Sequence, residues 1–185
     1  MQVIKSKQQK LKNYKIKLHK IKAFIFDVDG VFTDGMVLPS GGDFLRMHNA
    51  KDGYAVRYAL TQGYPIGIIT GGASETIRER FNMLGVTDVY LASFNKIGSF
   101  TDFCRKYNLQ PDEVLCMGDD IPDIEILTSS GLPTCPADAV PEVKAVCEYI
   151  SDKPGGKACV RDVIEQTLKL QGKWNLLCSA NQASN

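Results

Sequence analysis

The sequence predicts an α/β fold: a doubly wound, Rossmann-like, mostly parallel sheet with helices on both faces. Three observations predict it. Strand-like and helix-like segments alternate after residue 20. The strand-like segments, typified by Ile21 to Phe26, are apolar runs of the kind buried on both faces of a sheet. The helix-like segment near 96–107 carries Ile97, Phe100, Cys104 and Tyr107 at three- and four-residue steps, the spacing of one buried stripe.

Taken in order, strands are expected over 21–27, 64–70, 88–92, 113–118, 131–135 and 146–150. Helices are expected over 52–62, 73–84, 96–107, 121–130, 139–145 and 160–171. One segment breaks the rhythm. Met36 to Leu38 and Asp43 to Met47 flank Pro39-Ser40-Gly41-Gly42, which reads as a β-hairpin leaving the sheet directly after its first strand. It is expected to act as a flap over a site or as an oligomer contact. The chain of 185 residues fits one domain over 21–172, with a lysine-rich extension at 1–20 and a loose tail at 173–185.

Composition narrows the function. The formal net charge of +1 gives no general attraction to nucleic acid or to an anionic membrane. No apolar stretch is long enough to span a bilayer, and the first twenty residues lack the apolar segment of a secretory signal. The six cysteines are scattered, without a CxxC pair, and read as reduced thiols of a cytoplasmic protein. The basic start has no arginine and no aromatic beyond Tyr14, so it reads as a solvated extension rather than a nucleic-acid arm.

In a parallel doubly wound sheet, ligands bind beyond the carboxyl ends of the strands. Four strand ends carry polar groups here. The first carries Asp27 and Asp29, followed by Gly30. Residues two apart on a strand share a face, so both carboxylates could enter one site, although Asp-Gly is equally a common turn pair. The second carries Thr70, then Gly71-Gly72 before a helix, where free N–H groups meet an anion. The third leads to Lys96, and the fourth to Gly118-Asp119-Asp120 with Asp123 beyond Pro122. Each has a plain alternative: Thr70 as a helix cap, Lys96 as a solvated first-turn lysine, the later acids as caps. Together they form an oxygen-rich nest for a hard divalent ion, Mg²⁺, beside donors suited to phosphate oxygens. A carboxylate in such a site can attack phosphorus once the phosphate charge is neutralised.

These four motifs resemble those of the haloacid dehalogenase-like phosphatase superfamily, in the same order, over about residues 21–125. The resemblance implies that Asp27 is the nucleophile and Asp29 the general acid–base. Thr70 and Lys96 would bind the phosphoryl group. Asp27, the backbone carbonyl of Asp29 and Asp119 would hold Mg²⁺, with Asp120 and Asp123 in support. Residues 30–63 and 71–95 leave no room for the cap domain that many members insert.

That capless shape resembles the 3-deoxy-D-manno-octulosonate 8-phosphate phosphatases, a tetrameric subgroup. Matching segments include Asp27 to Gly35, Asn49 to Tyr54, Ile69 to Gly71, Arg80, Asn95-Lys96, and Gly155-Gly156 before Arg161-Asp162-Val163. By this resemblance Asn49, Ala50, Lys51, Asp52, Gly53, Arg57, Gly71, Gly72 and Arg80 join Asp29 and Lys96 in binding a sugar-acid phosphate. The hairpins would pack in a homotetramer, and the segment from 155 onward would reach a neighbour's site. Two positions depart from the pattern: Gly72 stands where many members have arginine, and Ala158 where glycine is usual. The charge missing at 72 leaves a nine-carbon keto-sugar acid phosphate open as an alternative substrate. A phospho-accepting receiver domain of signalling type is the alternative of another class.

Overall fold

The structure is a computed structural model that describes residues 14–175. Its main sheet is parallel, with six strands in the order β5-β4-β1-β6-β7-β8. The strands are β1 (Ala23–Phe26), β4 (Ile66–Ile69), β5 (Asp88–Tyr90), β6 (Val114–Met117), β7 (Leu132–Cys135) and β8 (Tyr149–Ile150). The chain runs outward from β1 through β4 to β5, then returns to β6 and runs the other way. The reversal between β1 and β6 opens a crevice at their carboxyl ends.

Side-chain alternation divides the core between the two faces. Phe24, Phe26, Leu115 and Met117 point to one face, and Ala23, Ile25, Val114 and Cys116 to the other, all without solvent exposure. The first face is covered by α1 (Ala50–Thr61), α2 (Glu75–Met83) and α6 (Cys159–Leu170). The second is covered by α3 (Lys96–Lys106), α4 (Ile124–Ser129) and α5 (Pro141–Val146). Strands buried on both sides need apolar residues at every position, which is why the runs do not alternate with polar residues.

The hairpin forms as a separate two-stranded sheet, β2 (Leu38–Ser40) against β3 (Asp43–Leu45). Pro39 and Ser40 belong to the first strand, and the turn is Gly41-Gly42 alone, with φ of +57° and +91°. Two successive positive φ angles suit glycine and match the twist of the flanking strands. Met36, Leu38, Phe44, Leu45 and Met47 are exposed on it.

Several expectations are corrected. The packed body begins before residue 21: residues 14–18 are helical, with Tyr14 stacked on Tyr149 and Leu18 buried. It also continues past 172, because Trp174 packs edge-on against Tyr58 and the Tyr58 hydroxyl donates to the Lys173 carbonyl. The helix expected over 121–130 is split by Pro122 into a 3₁₀ turn, Ile121–Asp123, and α4. The helix after Thr70 starts only at Glu75, capped by Ser74, so Thr70 is not its cap. The turn 155–158 and α6 pack on this same chain: the Gly156 N–H donates to the Val31 carbonyl, and α6 lies on the face that α1 covers. They are therefore part of this chain's own packed body. The rest of the expected lysine-rich extension and of the tail lies outside the described residues.

Candidate active site

The carboxyl ends of β1, β4 and β6 open into one cavity of about 560 Å³. Asp27, Asp29, Thr70, Gly71, Gly72, Lys96, Asp119, Asp120 and Asp123 all line it, so the strand-end residues singled out by sequence meet in space.

Asp27 follows β1 directly and is 8 % exposed. Its Oδ1 accepts from the Val28 N–H at 2.7 Å, and its Oδ2 pairs with Lys96 Nζ at 2.9 Å. Burial, with Asp123 close by, pushes its pKa up to about 7 against the opposing pull of Lys96. Lys96 opens α3 behind the Asn95 cap. It is buried rather than solvated, and bridges Asp27 to Asp123 Oδ1 at 2.6 Å. Burial works against its ammonium, yet Asp27 and Asp123 together hold its pKa above the ordinary lysine value. Thr70 is buried, its Oγ1 accepting from the Gly72 N–H at 3.1 Å. The anion donors near it belong to the 71–72 turn and not to a helix terminus.

Asp123 is spent on its own chain. Its Oδ2 accepts from the Asp119 and Asp120 N–H groups at 3.0 and 3.3 Å, which shapes the loop after β6. Asp120 is exposed and caps the 3₁₀ turn through the Ile121 N–H. Asp119 differs from both: its carboxylate accepts no hydrogen bond among the described residues. Burial and the neighbouring Asp27 push its pKa up to about 7. Oxygen atoms of Asp27, Asp119 and Asp123 lie within 4.8 Å of one another. Gly30 leaves the space that Asp119 fills, since a Cβ there would lie 1.9 Å from Asp119 Oδ2. Gly30 also has φ of +77°, which side-chain-bearing residues adopt at a cost. An all-oxygen set of crowded acids with one uncommitted carboxylate fits a hard divalent cation.

Asp29 is held from the hairpin. Arg46 donates through Nε to Asp29 Oδ1 at 2.7 Å and through Nη2 to Oδ2 at 2.9 Å. Sequence reasoning missed Arg46, a single arginine set among the apolar residues of the hairpin with no pattern around it. It also missed Phe94, which is 90 % exposed at the cavity edge two residues before Lys96.

The substrate-binding set expected around α1 does not line this cavity. Asn49 caps α1 through the Lys51 N–H and donates to the Gly156 carbonyl at 3.0 Å. Asp52 is fully buried and accepts from the Arg161 N–H at 2.7 Å, so it cannot touch a ligand. Gly53 is buried beneath Arg80, whose Nη2 would lie 3.1 Å from a Cβ at that position. Ala50, Lys51 and Arg57 are exposed on α1, outside the cavity. His48 is wedged between Phe32 and Phe81; burial, aided by Arg80 and Arg46, pushes its pKa down to about 4.

Comparison with known proteins agrees with this geometry. A family model described as haloacid dehalogenase-like hydrolase matches residues 80–160. A relative 35% identical over 85% of this chain shows that the chain belongs to that family, and it is a phosphatase. The 3-deoxy-D-manno-octulosonate 8-phosphate phosphatase of Escherichia coli K12 is 35% identical over 158 residues, covering 85% of this chain and 84% of the relative. The crystal structure of the Yersinia pestis phosphatase of that name superposes with a TM-score of 0.85 at 31% identity, covering 87% of this chain and 88% of the other. The Moraxella catarrhalis 3-deoxy-D-manno-octulosonate 8-phosphate phosphatase, solved in complex with a magnesium ion, a phosphate ion and KDO, gives a TM-score of 0.85 at 26% identity, covering 90% of this chain and 97% of the other. Within the superfamily the chain thus resembles the octulosonate 8-phosphate phosphatases. As in the sequence reading, no cap domain interrupts the fold among the described residues. Membership of this family sets the receiver-domain alternative aside.

Proposed function

We propose that the chain hydrolyses 3-deoxy-D-manno-octulosonate 8-phosphate to the free sugar acid and phosphate, in the cytoplasm, with Mg²⁺. The observation that carries the reading is the joint presence, in one cavity of a capless relative of these phosphatases, of buried Asp27 paired with Lys96 and of Asp29 two residues on. Asp27, the Asp29 backbone carbonyl and Asp119 would hold Mg²⁺, which supplies positive charge against the phosphoryl oxygens. Thr70, the Gly71 N–H and Lys96 hold the phosphate oxygens and orient phosphorus toward Asp27.

In the first step an Asp27 carboxylate oxygen bonds to phosphorus. The bond to the leaving alcohol breaks, and the alcohol takes a proton from Asp29. In the second step water attacks the aspartyl-phosphate and gives its proton back to Asp29. The phosphorus–Asp27 bond breaks, and phosphate leaves. Catalysis is chiefly positioning and charge stabilisation. Without a cap the cavity needs cover from elsewhere, and a homotetramer in which neighbours supply it accounts for the exposed apolar hairpin. Asn49 to Gly53, Arg57 and Arg80 then shape the rim and the α1–α6 support rather than the phosphate site. Gly72, bare where a charged side chain would tell the two sugar acids apart, leaves a second reading open: a nine-carbon keto-sugar acid 9-phosphate.

The test is a substrate panel of eight- and nine-carbon keto-sugar acid phosphates, with simple sugar phosphates as controls, run with and without Mg²⁺. The eight-carbon substrate is expected to give the highest kcat/KM, and Asp27→Asn to abolish turnover. Activity that survives Asp27→Asn would remove the nucleophile assignment. A preference for nine carbons would select the second reading.

A further inference from the structure

Arg46 is the residue of the hairpin that turns inward. Its neighbours Phe44, Leu45 and Met47 are exposed, whereas the Arg46 side chain is 8 % exposed. Its three hydrogen bonds go to both oxygens of Asp29 and, from Nη1, to the Phe44 carbonyl at 2.9 Å. A guanidinium in bidentate contact fixes both the distance and the plane of the carboxylate it holds, which a lysine cannot do. Space for it comes from Gly72, where a Cβ would lie 3.3 Å from Arg46 Nη2 and 2.9 Å from Ile77 Cδ1. The only other side-chain bond Asp29 accepts among the described residues is a long one, 3.5 Å from Thr33 Oγ1. Its orientation therefore depends on Arg46.

We propose that Arg46 is a positioning residue for the second half of the reaction. It holds the Asp29 carboxylate, once its proton has gone to the leaving alcohol, in the plane from which it takes the proton of the attacking water. This rests on the phosphatase mechanism proposed above. In that step the water oxygen bonds to phosphorus, the phosphorus–Asp27 bond breaks, and the water proton passes to Asp29. The first half with an acidic leaving group needs little of Asp29, because the departing oxygen is stable without a proton. Loss of Arg46 should therefore slow breakdown of the aspartyl-phosphate far more than its formation. It also makes the hairpin, rather than the sheet, the element that orients the acid–base group.

The experiment uses the full chain with Mg²⁺ and p-nitrophenyl phosphate, in stopped-flow and steady-state modes, on wild type, Arg46→Met, Arg46→Lys and Asp29→Asn. For Arg46→Met the expected result is a burst of about one nitrophenolate per active site, then turnover slowed about 10- to 100-fold. KM should fall by a similar factor, leaving kcat/KM within about threefold. Arg46→Lys should recover part of the slow phase, and acid-quenched protein should carry phosphate on Asp27. The proposal is overturned if Arg46→Met keeps wild-type kcat, or if it loses kcat and kcat/KM together without a burst. If Arg46→Met does not fold by circular dichroism, Arg46→Lys carries the same test: no burst and no fall in KM would overturn it. If wild type with Mg²⁺ releases phosphate neither from p-nitrophenyl phosphate nor from the sugar-acid phosphates, the proposed phosphatase mechanism itself fails, and that result is distinct from either outcome for Arg46.

Discussion

Asp52 offers the sharpest thermodynamic test of the fold. It lies in the first turn of α1, is 0 % exposed, and reaches across 109 residues to the Arg161 N–H. Its second oxygen, Oδ2, is buried and meets no hydrogen-bond donor among the described residues. Burial pushes its pKa from the ordinary 3.8 up to about 6, and the N–H groups of Arg161 and Ala158 offset only part of that. The folded state therefore binds this proton more tightly than the unfolded chain does. The stabilisation is fully present below about pH 4 and is lost as pH rises through about 6. The gap corresponds to about 3 kcal/mol. Asn at this position keeps an oxygen for Arg161 and does not titrate. Urea unfolding of wild type and Asp52→Asn, from pH 4 to 7 without divalent metal, gives the stability difference at each pH. Asp27 and Asp119, both pushed up to about 7, are present in both proteins and cancel from that difference. Wild type is expected to lose about 2 kcal/mol relative to the variant between pH 4 and 7, the rest of the gap being lost already by pH 4. A difference that stays flat across this range would refute the buried-carboxyl argument.

Ala158 has φ of +75°, a left-handed conformation that costs a Cβ-bearing residue about 1–2 kcal/mol. Ala158→Gly should raise stability by about 1 kcal/mol after the added freedom of the unfolded chain is subtracted, seen as a Tm rise of about 2–4 °C in calorimetry. Gly30→Ala would drive a methyl group into Asp119 Oδ2; the Mg²⁺ concentration for half-maximal activity should rise at least about tenfold, with circular dichroism preserved. Mg²⁺ should raise the Tm of wild type at pH 8 and do so progressively less below about pH 7, as Asp27 and Asp119 take up protons that compete with the cation; thermal shift with EDTA controls reads this out.

What sequence could reveal follows from range. The β1 run, the acids after it and the stripe on α3 are written in consecutive or periodic residues, so strands, helices and the four strand-end motifs were readable before any contact was known. The hairpin was readable for the same reason, although its turn is Gly41-Gly42 and not the four residues from Pro39. Arg46 was not, because its role depends on a hairpin folding back over Gly72. Asp52 was misplaced into the substrate set for a related reason. An acid in a first helical turn looks solvated, and its burial is decided by α6, more than a hundred residues away. The boundaries at 20 and 172 slipped because Tyr14, Leu18 and Trp174 are apolar residues set among lysines, where charge dominates the reading.

These misses converge on one short segment. The loop after β1, Asp27 to Asp34, is gripped by parts of the chain far apart in sequence. Arg46 holds Asp29 from the hairpin, and Asp119 fills the space that Gly30 leaves beside the loop after β6. From the other side Gly155 lies so close that a Cβ there would come within 2.0 Å of the Gly30 carbonyl, while the Gly156 N–H bonds to Val31. Asn49 and Asp52 brace that same 155–161 segment, through Gly156 and Arg161. The residues that failed to line the cavity thus reach it at one remove: they fix the turn that fixes the loop that carries the acid–base carboxylate. A capless phosphatase has no second domain to clamp its site. Close packing comes instead from Gly30, Gly155 and Gly156, at each of which an added methyl group would strike this loop or the side chain packed on it.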